Sequence, residues 1–283
     1  MDLIDLHAHT TASDGSLTPS ELVDRAKAIG LKALAITDHD TLAGLPEALS
    51  RAREIGLEVV SGVEISAEFK PGTMHVLGYD FDYLHPELTA GLKTLQESRR
   101  TRNPNIAAKL AALNKPVTMA EVEAQAGGGQ VGRPHFAKVM VAKGYVSGID
   151  EAFNKFLAKD GPAYVDKFRF TPSQAVALIR EAGGAPVLAH PFTLNLADGQ
   201  LAELLDELMA AGLVGLEAYY SKHTAELTRA YVALAGKMGL ALTGGSDFHG
   251  DGLAGIDLGR GAGNLNLPYS LLVELRRKHK GGI

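Results

Sequence analysis

The 283-residue sequence contains no cysteine. Disulfides and thiolate metal sites are thereby excluded, and any metal must be held by histidine, aspartate and glutamate. No apolar run is long enough to span a membrane. The first residues lead straight into an acid-containing strand, with no basic stretch followed by an apolar one, so no secretory signal is read there. The expected compartment is the cytoplasm, with no membrane association and no obligate protein partner. The letters GxGxxG occur at Gly127 to Gly132, but in a helical stretch with no strand before them, and GxxxxGK[ST] does not occur. The common cradles for dinucleotides and nucleoside triphosphates are therefore not expected. A GxSxG elbow is missing too, and with no cysteine nucleophile covalent hydrolase schemes have little footing. Positive charge is not in excess: the net charge of −5 argues against a general nucleic-acid coat, while leaving room for a local basic pocket.

What is present is a rhythm of short apolar segments and helical stretches. Leu3–Leu6, Lys32–Thr37, Leu57–Val63, Met74–Tyr79, Pro186–Ala189, Val214–Tyr219 and Leu240–Thr243 read as buried strands. Helices are expected near 18–30, 41–55, 171–183, 199–211, 223–238 and 268–280. Thr18-Pro19-Ser20-Glu21 and Thr171-Pro172-Ser173-Gln174 have the residues of a helix start, with Ser/Thr three before Glu/Gln and proline in the first turn. About seven βα repeats imply a mostly parallel sheet. A distorted (β/α)7-type barrel of the α/β class fits best, and an open doubly wound sheet is the alternative.

Between 86 and 163 no alternating strand appears. Thr118-Met119-Ala120-Glu121 is another capping box, Gly127-Gly128-Gly129 a flexible break, and Pro104 should begin, kink or break the helix expected over 86–113. This block reads as an inserted helical cap, dividing the chain into a barrel of 1–85 and 164–283 and a cap of 86–163.

The strand ends carry the chemistry. His7 and His9 are alternate residues and share a face, so both imidazoles can reach one cation. Asp14 follows in a Ser-Asp-Gly turn. His39, Glu64, His75, His190, Asp247 and His249 lie at or beside the other apolar segments, and in parallel α/β folds the carboxyl ends of the strands form one face, where sites are built. A lone histidine in such a place is more often structural than a ligand. So many donors on one face read instead as a multinuclear metal site. His85, His223 and His279 lack this setting and read as solvated or structural. All-N/O coordination suits Mn, Fe or Zn. Two or three close cations can clamp a phosphate and stabilise the leaving oxygen, so phosphate-ester hydrolysis is the natural chemistry.

His7-Ala8-His9, Asp14, Thr37-Asp38-His39, Glu64, His75, Ala189-His190-Pro191 and Ser246-Asp247-Phe248-His249 together resemble the motifs of the polymerase and histidinol phosphatase (PHP) superfamily, over nearly the whole chain. Gly132-Arg133-Pro134-His135 and Ala152-Phe153 resemble the branch that contains bacterial 3',5'-nucleotide bisphosphate phosphatase, some relatives of which trim RNA from its 5' end. The resemblance implies a PHP barrel with three metal positions. His7, His9, Glu64 and Asp247 would hold the first. Glu64 would bridge to a second, shared with His75 and His190, and Asp14, His39 and His249 would hold the third. Asp247 and His249 would also serve the chemistry. Some relatives carry histidine where this chain has Asp14; the extra negative charge favours manganese, with zinc or iron as the other choices. Related amidohydrolases often bridge with a carboxylated lysine, the place taken here by Glu64.

The implied reaction is removal of the 3'-phosphate of 3',5'-bisphosphonucleotides such as adenosine 3',5'-bisphosphate, with 5'-3' exonuclease action on short RNA beside it. Another PHP phosphatase, such as one acting on histidinol phosphate, and a non-catalytic metal-binding module are the rival readings. Arg99, Arg100 and Arg102 crowd one segment, and Arg133 and His135 share another. Guanidinium groups bind phosphate in a bidentate way, so Arg99, Arg102, Arg133 and His135 are the candidates for a second phosphate. Arg100 alone reads as a solvated helix face. Phe192, Tyr219 and Phe248 are candidates to stack a base, although aromatic residues at strand ends are as often core.

Overall fold

The computed structural model describes residues 2–197, 199–250 and 255–281. Seven strands form one sheet in sequence order: β1 (Leu3–Asp5), β2 (Leu31–Ile36), β3 (Glu58–Ala67), β4 (Met74–Tyr79), β5 (Ala185–Leu188), β6 (Gly215–Tyr220) and β7 (Ala241–Gly245). The ring nearly closes between β7 and β1. Leu6 N donates to Gly244 O at 3.3 Å, His9 N donates to Phe248 O at 2.9 Å, and Ala8 pairs with Phe248 in parallel. The expected distorted α/β barrel is thus the observed one.

One strand departs from the βα rhythm. β4 runs antiparallel to both β3 and β5, while the other neighbouring pairs are parallel. The cause is chain length: only residues 68–73 separate β3 from β4, and a parallel crossover needs a dozen or more. The consequence is functional. His75 is the second residue of its strand, yet lies at the same end of the barrel as the residues that finish the others.

Strand alternation makes two cores. Leu34, Ile36, Ile65, Val76, Leu188 and Leu216 pack outward with helix residues Leu22, Val23 and Ile179. Ile4, Leu6, Ala33, Ala35, Leu77, Tyr79, Val187 and Ala241 fill the inside together with Leu272 and Leu275. The outer layer includes α1 (Pro19–Ala28) and α2 (Leu45–Ile55), and Thr18 and Glu21 close the expected capping box of α1.

Residues 86–163 carry α3 (Pro86–Ala112), α4 (Met119–Ala126), α5 (Arg133–Ala142) and α6 (Ile149–Ala152), which runs on into a π-helical turn at Phe153–Leu157. Pro104 does not end α3. Its ring deprives the Arg100 carbonyl of the usual intrahelical donor, and Arg100 lies on the exposed side, where solvent is at hand. Leu88, Leu92 and Leu95 of α3 belong to the barrel's outer core, whereas Ile106 and Leu110 join Val122, Phe136, Met140 and Leu157 in a separate apolar cluster. α7 (Pro172–Glu181), α8 (Gln200–Ala211), α9 (Ala225–Met238) and α10 (Ser270–Gly281) complete the described α-helices, and a 3-10 turn covers Pro191–Leu194. Among the described residues, no helix is long and apolar enough to cross a membrane.

Candidate metal centre and substrate pocket

His7 and His9 leave β1 facing the barrel's carboxyl end, and the loop after β7 is stitched to them. Asp247 N donates to His7 O at 2.8 Å. Asp38 folds the loop after His9. Its Oδ1 accepts from Thr10 N at 2.8 Å and Ser13 Oγ at 2.6 Å, and its Oδ2 from Thr10 Oγ1 at 2.7 Å. Gly15 is needed in this loop, because a side chain there would run into the His9 carbonyl. The fold-back brings Asp14 Oδ1 to 3.3 Å from His249 Nε2, and Asp14 Oδ2 to 3.9 Å from His39 Nε2.

Glu64 is the hub. Its Oε2 lies 3.2 Å from His7 Nε2, 3.3 Å from His9 Nε2 and 3.0 Å from His39 Nδ1. Its Oε1 lies 2.6 Å from His75 Nδ1 and 2.8 Å from His190 Nε2. Asp247 Oδ1 stands 3.1 Å from His9 Nε2 and 3.4 Å from His7 Nε2. Three sets of donor atoms converge, each within 4.8 Å: His7, His9, Glu64 and Asp247; His9, Asp14, His39 and His249; and His39, Glu64 and His75. His9 and His39 each belong to two sets, so these sets share histidines as well as the Glu64 carboxylate.

The donors fit cations. His7 Nε2, His9 Nε2, His39 Nδ1, His75 Nδ1, Asp14 Oδ1 and Glu64 Oε2 are buried with no hydrogen-bond partner. Their lone pairs point at common centres, which is costly in a dry interior unless positive charge occupies them. Burial works against the charge on Glu64, Asp14 and Asp247, yet the surrounding histidines hold all three carboxyls well below the usual range. His75 is driven the other way, down to about 4, by burial and by the neighbouring His39 and His190, against the pull of Glu64. This favours the neutral imidazole that metal ligation requires at His75, whereas, against burial, Asp247 and Glu64 push His9 up to about 10.

Glu217 is a part of the centre that the motif spacing does not reveal. It is fully buried on β6; its Oε1 accepts from His7 Nδ1 at 2.9 Å and its Oε2 from His190 N at 2.8 Å. With the His7 proton on Nδ1, the Nε2 lone pair is left facing Glu64 and Asp247, the arrangement by which outer carboxylates orient metal-binding histidines. A charged residue inside the apolar run Val214–Tyr219 was the available signal.

Beside the donor sets lies a cavity of about 380 Å³, whose lining includes Asp14, His39 and His75 together with Arg99, Arg102, Arg133, Lys167 and Arg169. Arg99 and Arg102 are three residues apart on α3 and share a face. Lys167 and Arg169 belong to a segment outside helix and strand, and both line the cavity. These two cations were not among the candidates read from sequence, although the pattern Lys167-Phe168-Arg169-Phe170 was visible there. The crowding has electrostatic consequences. Burial and the neighbouring guanidiniums push Arg102 down to about 8; burial, and then the arginines against the pull of Asp40, push Lys167 down to about 7. Arg102 bonds the amide oxygen of its neighbour Asn103 at 2.7 and 3.1 Å, not a carboxylate. Arg133 donates to Leu157 O at 3.0 Å and lies over the rings of Tyr164 and Phe153. A dianion placed here would relieve the mutual repulsion.

The remaining candidates have other neighbours. His135 is buried, and its Nδ1 accepts from Gly132 N at 2.9 Å at the start of α5. Arg100 is exposed and paired with Glu97. Phe248 is core, and Phe192 packs against Tyr220 and His223. His223 is buried, His85 faces Glu87 and His279 bonds the Gly183 carbonyl.

Known proteins resemble this chain throughout. The PHP domain family matches residues 5–155. A 5'-3' exoribonuclease of Haemophilus influenzae is 37% identical over 87% of this chain and 89% of its own length. A 3',5'-nucleoside bisphosphate phosphatase of Chromobacterium violaceum is 35% identical over 90% of each. Among solved structures, an amidohydrolase from C. violaceum with bound sulfate superposes with a TM-score of 0.89 at 33% identity, covering 97% of this chain and 96% of that one. A protein of Bifidobacterium adolescentis assigned as a metal-dependent phosphoesterase superposes at 0.88 with 31% identity, over the same shares. By sequence, barrel and strand-end residues alike, this chain belongs to the PHP family.

Proposed function

We propose that this chain is a metal-dependent phosphoesterase that removes the 3'-phosphate of a 3',5'-bisphosphonucleotide and leaves the 5'-monophosphate. The observation that carries the reading is that one cavity is lined both by histidine and carboxylate donors and by a cluster of arginines and lysine. The donors suit the ester to be cut and the cations suit a phosphate to be kept.

In this reading His7, His9, Asp14, His39, Glu64, His75, His190, Asp247 and His249 hold two or three metal ions, for which manganese is our choice. When bound, such ions supply Lewis-acid stabilisation of phosphoryl charge and a nucleophile at neutral pH. The chain's own groups do the rest. Arg102, Arg133, Lys167 and Arg169 grip the 5'-phosphate and thereby fix the distance of the 3'-ester from the donor sets. Asp247, held ionised, is suited to take the proton of an attacking water. His249 donates from Nδ1 to the Asp247 carbonyl at 2.9 Å, which leaves its Nε2 directed at Asp14. Arg99 and His135 support these groups from behind, through Asp40 and the start of α5 respectively. Residues 86–163 form the cap that brings in Arg99, Arg102 and Arg133, although the first turns of α3 pack as part of the barrel. A cytoplasmic location suits a nucleotide substrate.

A second reading uses the same groups. A 5'-phosphorylated RNA end would place its terminal phosphate on the cations and its first phosphodiester at the donor sets. The 37% identity to a 5'-3' exoribonuclease supports it. The test is phosphate release by the manganese-loaded protein from adenosine 3',5'-bisphosphate, histidinol phosphate and short 5'-phosphorylated RNA, with phosphorus NMR of the nucleotide product. The expected product is the 5'-monophosphate. Release of the 5'-phosphate, or preference for histidinol phosphate, would overturn the orientation.

A further inference from the structure

β6 supplies none of the side chains in the three donor sets, yet two of its residues press on them. In a regular strand residues 217 and 220 face opposite sides. β6 is not regular. Glu217 pairs with Thr243 and Tyr219 with Gly244, so Ala218 is an extra residue. A bulge of this kind re-aims the side chains that follow it, and Glu217 and Tyr220 both reach the metal-facing residues. Glu217 holds His7 Nδ1 and His190 N. The buried Tyr220 donates its hydroxyl to Asp247 Oδ2 at 2.7 Å.

The bulge is itself fastened. His223, outside the donor sets, is buried, and its Nδ1 donates at 2.9 Å to the carbonyl of Ala218. Its ring lies 5.1 Å from that of Tyr220, whose other faces meet His190 at 5.2 Å and Phe192 at 5.7 Å. The phenol therefore has little freedom, and neither has Asp247. With Oδ2 taken by Tyr220, only Oδ1 faces His7 and His9.

We propose that the bulge of β6, pinned by His223, is a positioning device, in which the Tyr220 hydroxyl restricts Asp247 to offering one carboxylate oxygen to the metal centre. Tyr220 and His223 are positioning residues; they act through Asp247. The inference rests on reading the donor sets as a metal centre.

The test is calorimetric titration of the metal-stripped protein with Mn2+, alongside melting of the metal-free form. Tyr220→Phe keeps the ring and removes only the hydroxyl. Affinity at one or more Mn2+ positions should fall about ten- to a hundred-fold, the usual effect of losing an outer partner of a ligand. Melting of the metal-free variant should stay at the wild-type value, and kcat should fall with KM for the bisphosphate nearly unchanged. His223→Leu should weaken Mn2+ binding in the same way, and His223→Asn, which keeps a donor near the Nδ1 position, should restore it. Wild-type Mn2+ affinity in Tyr220→Phe would overturn the inference while leaving the metal centre standing. No Mn2+ binding by the wild-type chain would overturn both.

Discussion

Arg99 of α3 is anchored on Asp40, which follows β2, its Nε 3.1 Å from Oδ2 and its Nη2 in contact with the same oxygen. Lys167 approaches that oxygen at 3.4 Å, and Oδ1 accepts from Ser66 N at 2.7 Å. Asp40 is fully buried, so the two cations depend on it for compensation.

Asp40→Asn should therefore destabilise the protein strongly. Asparagine tolerates the φ of +53° at this position, so the backbone is spared and the charge alone is lost. Removing one partner of a buried pair costs about 3–5 kcal/mol. At about 2–4 °C per kcal/mol, the melting temperature should drop by roughly 10 °C. An unchanged melting curve would mean that Arg99 and Lys167 find other compensation.

Arg102→Met should separate recognition from stability. This cation bonds a neutral amide and is crowded by Arg99, Arg133 and Arg169, so its removal should leave the melting temperature unchanged or higher. Loss of a charge-assisted contact of roughly 1.5–3 kcal/mol corresponds to about ten- to a hundred-fold in kcat/KM. The loss should appear with a 3',5'-bisphosphate and be small with a substrate lacking the second phosphate. Equal losses on both substrates would assign Arg102 to the fold or the chemistry.

Anion binding should depend on the Lys167 proton. Burial first, and then Arg99, Arg169 and Arg102, lower this amine to about 7, with Asp40 opposing. The charge is present below that pH and lost above it, and an anion binds the charged form better. Sulfate affinity should then weaken as pH rises from 6.5 to 9 in wild-type protein, approaching tenfold per unit well above the pKa. Sulfate keeps its own charge over this range, so the change reports on the protein. In Lys167→Met the profile should be flatter and the affinity lower throughout. Identical slopes in the two proteins would remove Lys167 from the site.

Glu64→Gln keeps the shape of the side chain and removes the negative charge that five histidines face. At least one metal ion should be lost per chain, measured by elemental analysis after dialysis, together with nearly all turnover. Full metal content with normal phosphate release would dismiss Glu64 as the bridge.

Much of this arrangement is written in local pattern. The alternation of His7 and His9, the capping residues Thr18 and Glu21, and apolar segments ending in histidine or carboxylate all act within a few residues, where strand and helix periods decide geometry. The strandless segment after Pro86 is local in the same sense. The place of His75 is not local. It lies near the start of its strand, and only the short 68–73 turn, which reverses β4, puts it beside Glu64. The gathering of Lys167 and Arg169 with Arg102 across 65 residues of sequence, the Glu217–His7 contact across 210, and the anchoring of Arg99 on Asp40 across 59 likewise depend on how the barrel closes and how α3 packs against it. Side-chain spacing along one segment sets which residues share a face. Which face meets which depends on strand direction, a bulge and buried charge compensation, and those belong to the whole chain.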